Sequence, residues 1–191
     1  MTVMAGPVIA VYGGSFDPPH LAHQMACLVA LEAAAVDEIW LVPTYRHMFG
    51  KNLIAYEHRL AMCHLLARPF GDRARVSTVE RDLGGDTNPM LSTLQALADQ
   101  HPDHRFRLLI GSDILAERHL WYAWDQVTKL APPLLLARLG APVPDDWQAI
   151  GPPLPDVSSS EVRHRLATGQ DASALVPRSV LDYIAGAGLY R

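Results

Sequence analysis

The chain has 191 residues, 49% of them hydrophobic and 19% charged, with a formal net charge of -4. That length suits one well-buried domain. No apolar run approaches the roughly 20 residues of a membrane span, and the negative balance argues against broad electrostatic binding to nucleic acid, which needs clustered cations.

The opening "MTVMAGPVIAVYGG" lacks the basic start of a signal peptide and reads as a first strand, centred on "VIAVY" at 8 to 12. It runs into "GGSFDPPHLAH" at 13 to 23, a strand-to-helix turn. Glycines there let the backbone approach a ligand, and the free N-H groups of the helix start favour an anion. Asp17 is placed to cap that helix and Pro18 to occupy its first position. His20 and His23 lie three apart and project from one face of the opening turn, beside the place for a phosphate. A tight turn followed by surface histidines would give the same residues. A zinc site would need a third ligand that the neighbourhood does not offer. Leu21, Met25, Leu28 and Val29 carry the helical spacing onward.

A second strand is expected at "EIWLV" (38 to 42), and a weaker helical pattern follows at Leu60, Cys63, His64 and Ala67. Cys27 and Cys63 fall inside helical patterns without CxxC spacing, which argues against a disulfide framework and fits a reducing cytoplasm. The next strands are "ARVSTVE" (74 to 80), "RFRLLI" (105 to 110) and "PLLLARL" (133 to 139), with a helix marked by Leu91, Leu94 and Leu97 between the first two. The proline-rich stretch from 140 to 157 reads as a connection within the domain, since too little chain follows it for a second one. In "VSSSEVRHRL" (157 to 166), Ser158 and Glu161 have capping-box spacing, and Arg163 lies in the first turns of the helix. A short helix and tail close the chain in "VPRSVLDYIAGAGLYR".

Strands alternating with helices imply an α/β fold: a Rossmann-like doubly wound parallel sheet with helices on both faces, and a C-terminal helical part (about 158 to 191) packed on it. Ligands of such sheets bind beyond the carboxyl ends of the strands.

"GGSFDPPHLAH", "LIGSDIL" at 109 to 115, "VSSSEVRHRL" and "LVPRSVLDYI" at 175 to 184 together resemble the nicotinate or nicotinamide mononucleotide adenylyltransferases, whose patterns are GGxFDPxHxGH and ISSTxIR. The matches bracket nearly the whole chain in the expected order. The resemblance implies an enzyme that joins a pyridine mononucleotide to the AMP part of ATP and releases pyrophosphate, with Mg2+ accompanying ATP. It implies that Gly14, Ser15 and Phe16 present backbone to phosphate, that His20 and His23 stabilise charge on the triphosphate, and that Arg163 joins in holding its β and γ phosphates. By the same resemblance Ser159 and Ser160 hold the outer phosphates, Gly111 and Asp113 meet the adenosine ribose, and Trp121 with Tyr122 packs against the pyridine. Asp113 would also serve as a cap for the short helix after its strand.

The chain departs from the pattern at Ala22, where the family has glycine, and at Met90, which stands where a threonine is associated with binding the pyridine's carboxylate. A thioether donates no hydrogen bond, so nicotinate and nicotinamide both stay open. In "PTYRHMFGKNLIAYEHRLAMC" (43 to 63), Lys51 is the first candidate for a phosphate contact and Arg46 the second, with Arg59 equally suited to a structural role. Two other readings use the same residues: a nucleotidyltransferase with another phosphorylated acceptor, and a nucleotide sensor without turnover. No sequence feature separates a homo-oligomer interface from an ordinary surface patch.

Overall fold

A computed structural model describes residues 6–46, 53–85 and 88–191. Strands β1 (Val8–Gly14), β2 (Glu38–Pro43), β3 (Ala74–Val76), β4 (Arg105–Gly111) and β5 (Pro133–Leu136) form one sheet in the order β3-β2-β1-β4-β5. Every pairing is parallel, with Ile9 of the central strand flanked by Glu38 and Phe106. A central parallel strand is covered on both faces, which is why "VIAV" is a continuous apolar run rather than an alternating one.

The helices are α1 (Leu21–Ala33), α2 (Tyr56–Ala67), α3 (Val79–Leu83), α4 (Met90–Gln100), α5 (Ser112–Glu117), α6 (Trp124–Leu130), α7 (Ser159–Ala167) and α8 (Arg178–Ala187). On one face, Ala26 and Ala30 of α1 and Cys63 and Leu66 of α2 bury against Ala10, Ile39 and Leu109. On the other, Leu94 and Leu97 of α4 and Val127 of α6 bury against Ile9, Val11 and Leu108. The fold is thus the doubly wound α/β sheet expected from the sequence. Strand order reverses direction beside β1 and β4, and the crevice between their carboxyl ends is where such sheets hold ligands.

A third apolar cluster joins Val162 of α7 and Val180 and Ile184 of α8 to Ala22 and Met62. The methyl group that distinguishes Ala22 from glycine is buried in this cluster, so the departure there is absorbed by the packing of the C-terminal helices. The stretch from 140 to 157 runs along the edge of β5 through isolated bridges, Leu135 to Ala149 and Arg138 to Leu154.

Four local expectations are corrected, the first being the strand expected at 133 to 139, which ends at Leu136. The strand expected at 74 to 80 stops at Val76, and Val79 begins α3, which turns Glu80 inward. Asp17 and Pro18 do not cap and open α1; His20 is its N-cap and Leu21 its first residue. The N-cap of α5 is Gly111, and Asp113 lies within the first turn. No helix among the described residues is long and apolar enough to cross a membrane.

Candidate active site

The site begins where β1 ends. A Cβ built on Gly13 would come within 2.6 Å of Met90 Cε, so a larger residue there would push the thioether's end off the turn. Phe16 then takes a positive φ of 48°, a conformation costly for a bulky residue, and its ring is 1% exposed. That ring makes edge contacts with Tyr12 at 5.6 Å and with His23 at 4.9 Å between centroids. The aromatic of the motif therefore fixes the imidazole plane while its backbone forms the turn.

The two histidines act as a unit. Nδ1 of His23 accepts the N-H of His20 at 3.1 Å, and the rings lie 3.7 Å apart in a tilted stack. With Nδ1 occupied as an acceptor, the single proton of neutral His23 sits on Nε2, which becomes a donor. Burial and then the positive charge of Arg138 push His20 down to about 3, while burial, His20 and Arg138 hold His23 well below 6.5. Both imidazoles are neutral at pH 7. His20 Nδ1 is buried without a hydrogen-bond partner, an unspent polar atom.

The C-terminal segment locks onto the same turn. Nη1 of Arg163 donates to the Asp17 carbonyl at 2.6 Å and Nη2 to Ser160 Oγ at 3.1 Å. Ser159 Oγ donates to the Pro18 carbonyl at 3.0 Å, and the N-H of Leu21 donates to the Leu175 carbonyl at 2.8 Å. Tyr190 Oη donates to the buried Asp17 carboxylate at 2.7 Å. Ser158 accepts the N-H of Glu161 at 3.2 Å, as the capping spacing predicted. His20, His23, Ser159, Ser160 and Arg163 accordingly share one cavity of about 590 Å³, into which Ser15 and Phe16 also face. Two helix starts, two arginines and a pair of imidazoles make it a site for a polyanion.

At the end of β4, Gly111 leaves room for its neighbours: a Cβ there would lie 2.2 Å from Asp113 Oδ1 and 2.9 Å from Arg138 Cδ. Arg138 reaches Asp113 Oδ2 at 3.4 Å and the Val157 carbonyl at 3.2 Å. Asp113 Oδ1 is left buried without a partner, free to accept from a hydroxyl. A narrower cavity of about 150 Å³ runs here between His23, Gly111, Asp113 and Arg138.

On the opposite side of Gly13 to Ser15 lies an aromatic-walled cavity of about 350 Å³, bounded by Glu80, Asn88, Met90, Trp121 and Tyr122. Trp121 is half-buried and braced edge-on by Trp124 at 5.6 Å; Tyr122 is 65% exposed at the rim. Arg46 also borders this cavity. Lys51 lies outside the described residues.

Two residues that matter here carry no motif signal, Arg138 and Glu80, and a third, Arg59, takes the structural role it was equally suited to. Arg138 sits between the polyanion cavity and Asp113. Arg59, 1% exposed, donates to the carbonyls of Ser15 (2.9 Å), Thr44 (2.7 Å), Ile54 (3.1 Å) and Tyr45 (3.3 Å), tying the first turn to the end of β2. Glu80 is 4% exposed, and its Oε2 accepts the N-H of Tyr45 at 2.9 Å. Burial raises its carboxyl to about 7 against the lowering effect of that bond, of Arg59 and of Thr93.

Comparison with known proteins agrees with this geometry. Residues 11–165 match the Cytidylyltransferase-like family. A protein of Anaeromyxobacter sp. (strain K), named a probable nicotinate-nucleotide adenylyltransferase, is 48% identical over 97% of this chain and 98% of its own. One of the same name from Myxococcus xanthus (strain DK1622) is 39% identical over 95% and 94%. The solved Plasmodium falciparum nicotinic acid mononucleotide adenylyltransferase complexed with NaAD superposes with a TM-score of 0.82 at 22% identity, covering 96% of this chain and 97% of that one, a likeness of fold. Identity of this extent over essentially the full length, with the turn, the histidine pair and the late arginine gathered around one crevice, places the chain in the nicotinate-nucleotide adenylyltransferase family.

Proposed function

We propose that the protein transfers AMP from ATP to a pyridine mononucleotide, releasing pyrophosphate and forming the dinucleotide. The observation that carries this reading is the pair of unlike cavities meeting at Ser15: one polar and cationic, the other walled by aromatic and apolar groups. A triphosphate suits the first and a pyridine ring the second, which brings the acceptor's phosphate and the α-phosphorus together at the turn. The relatives are named for nicotinate, and nicotinate mononucleotide is the proposed acceptor.

No covalent protein intermediate is needed: an oxygen of the acceptor phosphate attacks the α-phosphorus as the bond to the leaving pyrophosphate breaks. The Nε2-H of His23 donates to triphosphate oxygens as charge shifts onto them, and a neutral donor held in place costs little reorganisation. Arg163, with Ser159 and Ser160 at the start of α7, holds the outer phosphates, and Ser15 and Phe16 offer backbone N-H groups. Asp113 Oδ1 accepts from a ribose hydroxyl.

The described residues gather no cluster of three or more His, Cys, Asp or Glu that would cage a metal. Mg2+ usually keeps several waters and binds chiefly through substrate phosphates, so this donor set fits an ion carried on ATP. When bound it would neutralise phosphate charge beside Arg163. The buried, unpaired thiols of Cys27 and Cys63 suit the cytoplasm.

The test supplies purified protein with magnesium-ATP and either nicotinate or nicotinamide mononucleotide and measures pyrophosphate and dinucleotide. Equal amounts of both products from at least one acceptor are expected. Bound ATP without product from either would replace this reading with a sensor.

A further inference from the structure

The aromatic cavity holds a feature that neither phosphate chemistry nor stacking uses. Glu80, on the short helix α3 and 4% exposed, lines the space walled by Trp121 and Met90. Burial without an ion-pair partner makes the charged form of an acid costly and favours its neutral form. One Glu80 oxygen is fixed by the Tyr45 N-H, and the Asn88 side-chain amide donates to the Glu80 carbonyl at 2.8 Å, so both the side chain and its backbone are held.

We infer that Glu80 reads the substituent on the pyridine ring and that its protonation decides between acid and amide. The inference rests on the adenylyltransferase reading above. A protonated Glu80 donates a hydrogen bond to a nicotinate carboxylate. An ionised one repels that carboxylate and accepts the N-H of a nicotinamide carboxamide instead. Met90, which lines the same cavity at the family's threonine position, can donate to neither.

The charged and titratable groups around Glu80 come from several elements. Tyr45 and Arg46 follow β2, Tyr56 and Arg59 lie on α2, Glu117 on α5, and Tyr122 follows α5, while Arg81 and Asp82 share α3 itself. Arg59 is engaged by four carbonyls and its attraction is outweighed by burial, which leaves the Glu80 midpoint near 7. Glu117 is exposed at the mouth, where water screens it.

The experiment measures kcat/KM for nicotinate and for nicotinamide mononucleotide between pH 6 and 8.5. Both acceptors share the phosphate, the ribose and the ATP site, so ionisations common to them cancel in the ratio. The nicotinate-to-nicotinamide ratio is expected to fall by about tenfold per pH unit above the Glu80 midpoint. In Glu80→Gln, which keeps the size and the acceptor for Tyr45, the ratio becomes flat and favours nicotinate more than the wild type does at pH 8.5. A flat ratio in the wild type overturns the inference, as does an unchanged slope in the variant. Turnover of neither acceptor at any pH overturns the adenylyltransferase reading itself, and the two failures are distinguished by whether dinucleotide appears.

Discussion

His23 shows how little of a residue's chemistry lies in its type. Its spacing from His20 was enough to point at a phosphate, but its role depends on which nitrogen carries the proton, and that is set by the His20 N-H at 3.1 Å. Replacing His23 with alanine should lower kcat by about 10²-fold or more, the usual effect of losing a donor to developing charge, while the Kd for ATP changes by only a few fold. A single-turnover assay beside an ATP titration separates the two, and near-normal turnover would remove the imidazole from the mechanism. Gly111→Ala is a second residue-scale test: its methyl would collide with Asp113 Oδ1 at 2.2 Å, so ATP affinity should fall with little loss of overall fold. The histidines and Arg163 were legible because each sits in a turn or helix start whose local sequence announces it, and Gly111 only through the resemblance carried by "LIGSDIL". Arg59 was legible as a candidate with two roles, and Arg138 and Glu80 were not legible, because their roles arise only when separate strands bring carbonyls, cavities and apolar walls around them.

At the level of elements, the parallel sheet and both helical layers follow from apolar runs that alternate between strand and helix, whereas the strand order and the strand ends at Val76 and Leu136 are set by the fold. Residues 74 to 77 alternate as a strand does, with Val79 out of phase, and the N-H of Ser77 still bonds to the Leu41 carbonyl beyond the last paired residue. Only the packing of Val79 into the second core layer turns the chain into α3. Helix caps were predicted less well than helices, since Asp17 is claimed by Tyr190 and Arg163 from the far end of the sequence. Arg59 is the tie between elements here. Arg59→Met would leave four backbone carbonyls without their donor, and a loss of about 3 kcal/mol or more is expected in urea unfolding. Arg59→Lys should recover only part of it, because one ammonium cannot span the carbonyls of Ser15, Thr44 and Tyr45 at once.

Across the whole molecule, three buried groups shape the response to pH. His20 and His23 are neutral when folded and take up protons on unfolding, so their contribution is complete above 6.5 and declines as pH falls toward 3. Glu80 acts in the opposite sense: its contribution is complete below 4.5 and is lost as pH rises to about 7. Between 4.5 and 6.5 two groups oppose one, and above 6.5 Glu80 acts alone, so these three place maximal stability near 6.5. Denaturant midpoints measured across pH 4 to 8 should show that maximum, and Glu80→Gln should remove the decline on its alkaline side. Tyr190→Phe strips the buried Asp17 carboxylate of its phenolic donor and is expected to cost about 1 to 3 kcal/mol, with weakened ATP binding through the disturbed turn. That last bond has a consequence in time as well as in space. The phosphate turn emerges from the ribosome with the first twenty or so residues, but the groups that clasp it, Ser159, Arg163 and Tyr190, are separated from it by 141, 146 and 173 positions. A nascent chain therefore carries its histidines long before it can hold a nucleotide, and the protein becomes competent only when its last helices close over its first turn.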